Sequence, residues 1–170
     1  MFNLFKKKND PPRVHTEDTL YAVANGQLIA ITDVNDPVFS EKMMGDGYAV
    51  QPIDGHVYSP VHGTVTNVFP TKHAIGIETP SGLEILIHIG IDTVELEGGP
   101  FASAVSEGDT VTPETLLSTV DLSALHAADK ATDVIVIITN MKQVVDLTIE
   151  TNQVVQASQV IGHVTSLAKE

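Results

Sequence analysis

The sequence predicts an all-β fold, an antiparallel β-sandwich or barrel with one or two short helices. Three observations carry that prediction. From Tyr21 onward, short runs of alternating apolar and polar residues are separated by turn residues, the pattern of a half-buried sheet. The chain of 170 residues is 42% hydrophobic but only 5% aromatic, with no Trp, so Val, Ile and Leu must fill the core. Two internal echoes also suggest repeated strand-turn-strand units. Tyr21 to Ile31 and Tyr58 to Val68 share a Tyr, a Gly five residues on, and apolar residues seven and ten after the Tyr. Val105, Gly108, Val111, Leu116, Leu117 and Val120 correspond at constant offset to Ile149, Asn152, Val155, Val160, Ile161 and Val164, and Asn replaces Gly where a left-handed turn allows it. Two copies are too few for a solenoid, so these echoes predict pseudo-symmetry within one sheet system.

Taken in order, residues 1–13 read as a basic tail. Met1, Phe2, Leu4 and Phe5 stand beside Lys6, Lys7 and Lys8, and Pro11 and Pro12 stop any helix. Two readings of residues 1–8 stay open, weak contact with anionic lipid and a solvated start. Residues 14–170 read as one domain, too short for two ordinary ones. Inside it, Asp121 caps a short helix over Leu122 to Ala128, Asp133 to Thr139 forms a fully buried strand, and Asn140 to Val145 adds a helical turn. Pro80-Ser81, Gly98-Gly99-Pro100 and Glu107-Gly108-Asp109 are turns.

Composition narrows the function. Lys6, Lys7, Lys8 and Arg13 against Asp10 leave +3 of the formal −13 in the tail, so the remainder carries −16. A body that acidic is repelled by a phosphate backbone, which excludes nucleic acid and favours a basic docking protein. No Cys is present, which excludes disulfides and thiolate zinc sites. No apolar run reaches the ~20 residues of a bilayer span and no secretory signal is evident, so a cytoplasmic protein, at most peripheral at the inner membrane face, is expected.

The stretch Leu83 to Thr93 concentrates the chemistry. Apolar residues at 83, 85, 87, 89 and 91 alternate, which puts His88 on the other face with Leu86 and Gly90. Gly90 is expected to leave the imidazole unshielded. The preceding hairpin supplies a partner: Thr79-Pro80-Ser81-Gly82 has type I turn preferences, and Glu78 pairing with Leu83 would set Ile75 opposite Leu86 and His73 opposite His88. Opposed β-carbons stand about 4.5–5.5 Å apart, close enough for both rings to contact one phosphoryl group or metal ion. In this reading the turn sets the site, and one inserted residue there separates the rings. A neutral imidazole keeps a lone pair able to attack phosphorus while the second ring donates to the phosphoryl oxygens. No Gly-rich phosphate loop with a following Lys is present, so another protein is the expected phosphoryl donor.

Thr71-Lys72-His73-Ala74, Ile87-His88-Ile89-Gly90-Ile91-Asp92-Thr93-Val94, Asp36-Pro37-Val38-Phe39 and Met44-Gly45-Asp46-Gly47 together resemble the glucose-type IIA component of the bacterial phosphoenolpyruvate-dependent sugar phosphotransferase system. The similarity runs from about Leu20 to the C-terminus in motif order and spacing. It implies an antiparallel β-sandwich in which His88 is the phosphorylated nucleophile, His73 steadies the phosphate, Thr71 orients His73, and Asp36 and Asp92 flank the site. It implies phosphoryl transfer from the phosphocarrier HPr and onward to a IIB domain of a sugar permease, with regulatory targets as further partners.

Two partners on one surface call for an adaptable apolar rim, and Val38, Phe39, Met43, Met44 and Phe69 are the candidates, with core and rim both open for Phe69. Asp36 and Asp92 also fit capping or turn roles. His15, His56, His126 and His163 read as surface or turn residues, and His62, beside Gly63, lies in a turn that can approach the site. No cofactor is required. The alternative is a zinc-binding or regulatory module using His73 and His88 with a partner's ligand, since no HExxH or HxH pair supplies a third.

Overall fold

The computed structural model describes residues 15–167. The tail reading for residues 1–13 lies outside these. Fourteen strands and two short α-helices are present among the described residues: β1 (His15–Tyr21), β2 (Gly26–Ala30), α1 (Pro37–Ser40), β3 (Asp46–Pro52), β4 (His56–Tyr58), β5 (Gly63–Val68), β6 (Ala74–Glu78), β7 (Glu84–Ile89), β8 (Phe101–Ser103), β9 (Thr110–Val111), β10 (Leu116–Val120), α2 (Leu122–Ala127), β11 (Val134–Ile138), β12 (Val144–Ile149), β13 (Gln153–Val155) and β14 (Val160–Leu167). All pairings are antiparallel. The predicted all-β class is what the chain adopts. The expected cap at Asp121 is present, its carboxylate accepting from the Ala124 N–H, and Met141–Gln143 forms one 3-10 turn.

An eight-stranded sheet runs β13-β2-β3-β11-β7-β6-β5-β9, and two three-stranded sheets run β1-β14-β12 and β4-β10-β8. The small sheets cover one face of the large one: Leu20, Ile161, Val164, Val57, Leu117 and Phe101 share a core with Val50, Ile75, Ile77, Ile85, Ile87 and Val136. Alternation sends Ile135 and Ile137 of β11 to the opposite face, where they lie beside Ile29 and Ala49 of the same sheet and cluster with Ile31, Val34 and Phe39. All five residues of β11 are therefore buried, which explains its unbroken aliphatic run.

The two echoes are a genuine internal two-fold. The large sheet reads the same from either edge if β13, β2, β3 and β11 are matched to β9, β5, β6 and β7, and the small sheets then exchange. Gly26 opposes Val155 as Gly63 opposes Val111, and Tyr21 opposes Val160 as Tyr58 opposes Leu116. Tyr21 N–H donates to Pro60 and Tyr58 N–H to Val23, at 2.9 and 2.8 Å, so the two units tie each other reciprocally. Gly108 and Asn152, matched in the echo, both have left-handed backbone, with φ of 92° and 61°.

The register of the β6–β7 hairpin departs from the sequence expectation by one residue. Glu78 opposes Glu84, Ile75 opposes Ile87, and Ala74, rather than His73, opposes His88. The type I turn is present, since Gly82 N–H reaches Thr79 O at 2.9 Å, but Gly82 then takes φ of 92° and Thr79 N–H bonds Leu83 O at 2.9 Å. The loop is thus three residues, a type I turn closed by a left-handed glycine. This register places Ile75, Ile77, Ile85 and Ile87 together on the covered face, which the expected one would not.

Candidate functional site: two imidazoles at the edge of a sheet

His88 lies on β7 on the face away from the main core, between Ala74 of β6 and Ile135 of β11. The ring is half-buried, and Phe39 packs against it with centroids 5.0 Å apart. His73 precedes β6, after Lys72 at φ of 58°. It sits opposite Ile89, whose N–H donates to the His73 carbonyl at 2.7 Å. Strict alternation would point its ring to the core side. The chain has left strand geometry there, and the His73 ring instead meets His88 edge-on, with centroids 5.1 Å apart and planes at 79°. The predicted meeting of the two rings holds, through the turn at Phe69–Ala74 rather than through direct cross-strand opposition. That turn is closed by Lys72 N–H to Phe69 O at 2.7 Å and Phe69 N–H to Ala74 O at 3.1 Å.

Each ring has its own orienting partner. His88 Nδ1 lies 2.7 Å from the Gly90 carbonyl. A carbonyl only accepts, so the neutral ring carries its proton on Nδ1 and keeps the lone pair on Nε2. His73 Nδ1 lies 2.6 Å from Thr71 Oγ1. With the hydroxyl donating, His73 holds its proton on Nε2 and presents it as a donor. The two rings are thereby suited to opposite tasks, one to attack phosphorus and the other to bind the phosphoryl oxygens.

Sequence reasoning missed the Gly90 carbonyl. Gly90 was expected to unshield the ring, yet it is buried with φ of 75°, and a Cβ there would stand 2.5 Å from Thr93 Cγ2 and 2.9 Å from Ala131 O. It is needed for its backbone conformation, and the His-x-Gly spacing was the available signal.

Burial holds the pKa of both histidines below the ordinary imidazole value. For His88 burial is the largest influence. The Gly90 bond, Asp36 and Asp92 push upward, and neighbouring His73 pushes down. The net result keeps the ring neutral and nucleophilic near neutral pH.

Asp36 and Asp92 combine the readings offered for them. Asp36 caps α1, its carboxylate accepting from Val38 N–H at 2.9 Å, with Pro37 at the first helical position. Asp92, at φ of 58°, starts the 3-10 turn Thr93–Leu96. The charges of both act on His88.

Of the rim candidates, Val38, Met43 and Met44 are exposed, at 39%, 69% and 41%. Phe39 is not a rim residue. It is 5% exposed, turned inward by the α1 turn onto Ile31, Val34 and Ile137, with its ring tilted at 58° to that of His88. Phe69 is intermediate, and its ring lies 5.7 Å from that of His73. Phe69, His73, His88 and Phe39 thus form a row of four rings.

His15, His56, His62, His126 and His163 are exposed. His62 packs edge-on against Tyr21, with centroids 5.9 Å apart, and is not among the neighbours of the paired rings. Among the described residues no group of three or more His, Cys, Asp or Glu could hold a metal ion. His73 and His88 would supply two ligands at most.

The fold and its paired rings define a class, a β-rich domain suited to carrying a phosphoryl group. Residues 18–144 match the family described as phosphoenolpyruvate-dependent sugar phosphotransferase system, EIIA 1, and the chain belongs to that family. It is 46% identical over 143 residues to the "PTS system glucose-specific EIIA component" of Halalkalibacterium halodurans, covering 84% of this chain and 83% of that one. It is 54% identical over 130 residues to the "PTS system glucose-specific EIICBA component" of Streptococcus pneumoniae, covering 75% of this chain but only 18% of that much longer relative. Glucose permease IIA from Mycoplasma capricolum superposes with a TM-score of 0.80 at 38% identity, covering 87% of this chain and 96% of that one. As a phosphotransferase-system IIA component the chain is a phosphoryl carrier.

Proposed function

We propose that His88 Nε2 takes the phosphoryl group from the phosphohistidine of HPr and passes it to a IIB domain serving sugar uptake, with glucose, named in these relatives, as the sugar. The observation that carries this reading is the 2.7 Å contact from His88 Nδ1 to the Gly90 carbonyl, which leaves Nε2 as the nucleophile beside His73. In the transfer the Nε2 lone pair forms a new N–P bond while the donor's N–P bond breaks and its electron pair returns to the donor ring. His88 keeps its Nδ1 proton, and His73 Nε2–H donates to a phosphoryl oxygen. Burial of charge without stabilisation is costly, so that donor matters. Onward transfer reverses these roles, with the acceptor on IIB attacking phosphorus and His88 leaving.

Docking rests on Val38, Met43, Met44 and Phe69 around the rings, with Asp36 and Asp92 meeting basic residues of both partners. Relatives in which this domain is fused to others of an EIICBA chain support a IIB partner. Incubation with phosphoenolpyruvate, enzyme I and HPr together should give an acid-labile label, and omission of any one should give none. His88→Ala should abolish labelling, whereas His73→Gln should accept phosphate and pass it on poorly. Full labelling of the His88→Ala protein would refute the assignment.

The 5.1 Å spacing of the rings also suits a zinc ion completed by a regulatory partner's ligand. Metal analysis of the complex purified without chelator tests this, and metal-free complexes would exclude it. No helix among the described residues is long and apolar enough to cross a membrane. A cytoplasmic setting is proposed with the function, and lipid contact by residues 1–8 is tested by vesicle sedimentation against a chain starting at Val14. Equal partitioning of the two would remove that contact.

A further inference from the structure

The carbonyl that orients His88 is itself held from behind. Gly90 C=O and Ile91 N–H belong to one trans peptide and point in opposite directions. The carbonyl faces His88, and Ile91 N–H donates to Ala131 O at 3.2 Å. Gly90 N–H donates to Asp133 O at 2.8 Å. The segment 131–133 therefore fixes the plane of the peptide that sets the His88 tautomer, and hydrogen bonds in such a chain reinforce one another. On the other side, buried Thr93 donates through Oγ1 to Ile89 O at 2.5 Å.

One side-chain link joins the two segments that enclose Gly90. Lys130, immediately before 131–133, places Nζ 2.5 Å from Glu95 Oε2 in the 3-10 turn Thr93–Leu96. Its own N–H closes α2 on Leu125 O at 2.9 Å. The Lys130 side chain is 18% exposed against 64% for Glu95, and the Asp92 and Asp129 charges act on it as well as Glu95. An isolated exposed ion pair contributes little. Here the ammonium also feels the Asp92 and Asp129 charges, so its loss leaves three carboxylates without the cation they share and removes the link between the two segments.

We propose that Lys130 is a positioning residue for the phosphoryl-accepting imidazole: paired with Glu95, it holds segment 131–133 against the Gly90–Ile91 peptide and so keeps the proton of His88 on Nδ1. This rests on the reading of His88 as the nucleophile. It assigns Lys130 no contact with the phosphoryl group.

The test uses the full chain with ¹⁵N-labelled histidine, the His88 signals being assigned with His88→Gln. Long-range ¹H–¹⁵N spectra read the tautomer directly, without any phosphoryl donor. Lys130→Met and Glu95→Gln should each raise the minor Nε2–H tautomer of His88 by about 1.5- to 5-fold, the range of an exposed ion pair. Each should slow single-turnover phosphoryl acceptance at saturating phospho-HPr only in proportion to the Nδ1–H fraction that is lost. Lys130→Arg should restore both, and the double variant should be no worse than either single one. An unchanged tautomer in Lys130→Met would overturn the proposal, whether the donor KM alone rises, as for a docking charge, or the Tm alone falls, as for a structural one. Labelling of the His88→Ala protein would overturn the parent reading while leaving the tautomer result standing.

Discussion

At the scale of single residues, the chemistry comes from giving two identical side chains different neighbours. A carbonyl on His88 and a hydroxyl on His73 assign the two protons. Thr71→Val should therefore retain phosphoryl acceptance and slow onward transfer about two- to tenfold, the equivalent of one hydrogen bond of about 0.5–1.5 kcal/mol. Equal loss of both steps would assign Thr71 to the fold instead.

Gly90→Ala combines a left-handed backbone with a Cβ inside contact distance of Thr93 and Ala131. It should cost more than about 1 kcal/mol in denaturant unfolding, and wild-type stability would contradict the packing. Burial lowers the pKa of His88, so its ring should titrate below the ordinary value of about 6.5 by NMR. The sign for stability follows. As pH falls below about 6.5 the unfolded chain takes up the proton first, so the contribution of His88 is full above that value and is lost as pH drops toward its folded pKa. A midpoint at or above 6.5 would contradict this.

At the scale of elements, the hairpin between β6 and β7 separates two ideas that the sequence runs together. The turn residues were expected to set the register and hence the site. A one-residue slip would move either Ile75 and Ile77 or Ile85 and Ile87 off the covered face. Full burial of such a side chain is worth about 1.5–3 kcal/mol, so the slip costs about twice that. One extra loop residue costs well under about 1 kcal/mol. The core decides the register and the loop adapts. A glycine inserted between Pro80 and Ser81 should thus leave the His73 and His88 resonances and phosphoryl acceptance near wild type. Loss of acceptance with an intact fold would restore the expectation that the turn controls the site.

At the scale of the whole molecule, the internal two-fold places β7 and β11 side by side at the junction of the two halves. Only one half carries the site. The match that pairs β6 with β3 and β7 with β11 sets His73 against Asp46 and His88 against Ile137. Asp46 accepts from Gly47 N–H and pairs with Lys42, while Ile137 lies in the core under α1. Because Ile87 opposes Val136 across that junction and is fully buried, Ile87→Ala should destabilise both halves together by about 2–5 kcal/mol in a single transition. Separate transitions for the two halves would show that they fold independently.

The sequence by itself determined the all-β class, the duplicated unit, the buried strand at 134–138 and the identity of the two histidines. Each rests on local periodicity, turn chemistry or motif spacing, which the linear order of side chains contains. Only the tertiary structure decided the hairpin register, the inward turn of Phe39, and the Gly90 carbonyl as the partner of His88. Register depends on which isoleucines find cover, and Phe39 depends on how α1 folds back over β11. A backbone carbonyl has no letter in the sequence. It becomes a functional group when residues 131–133, far along the chain, fix the direction in which it points.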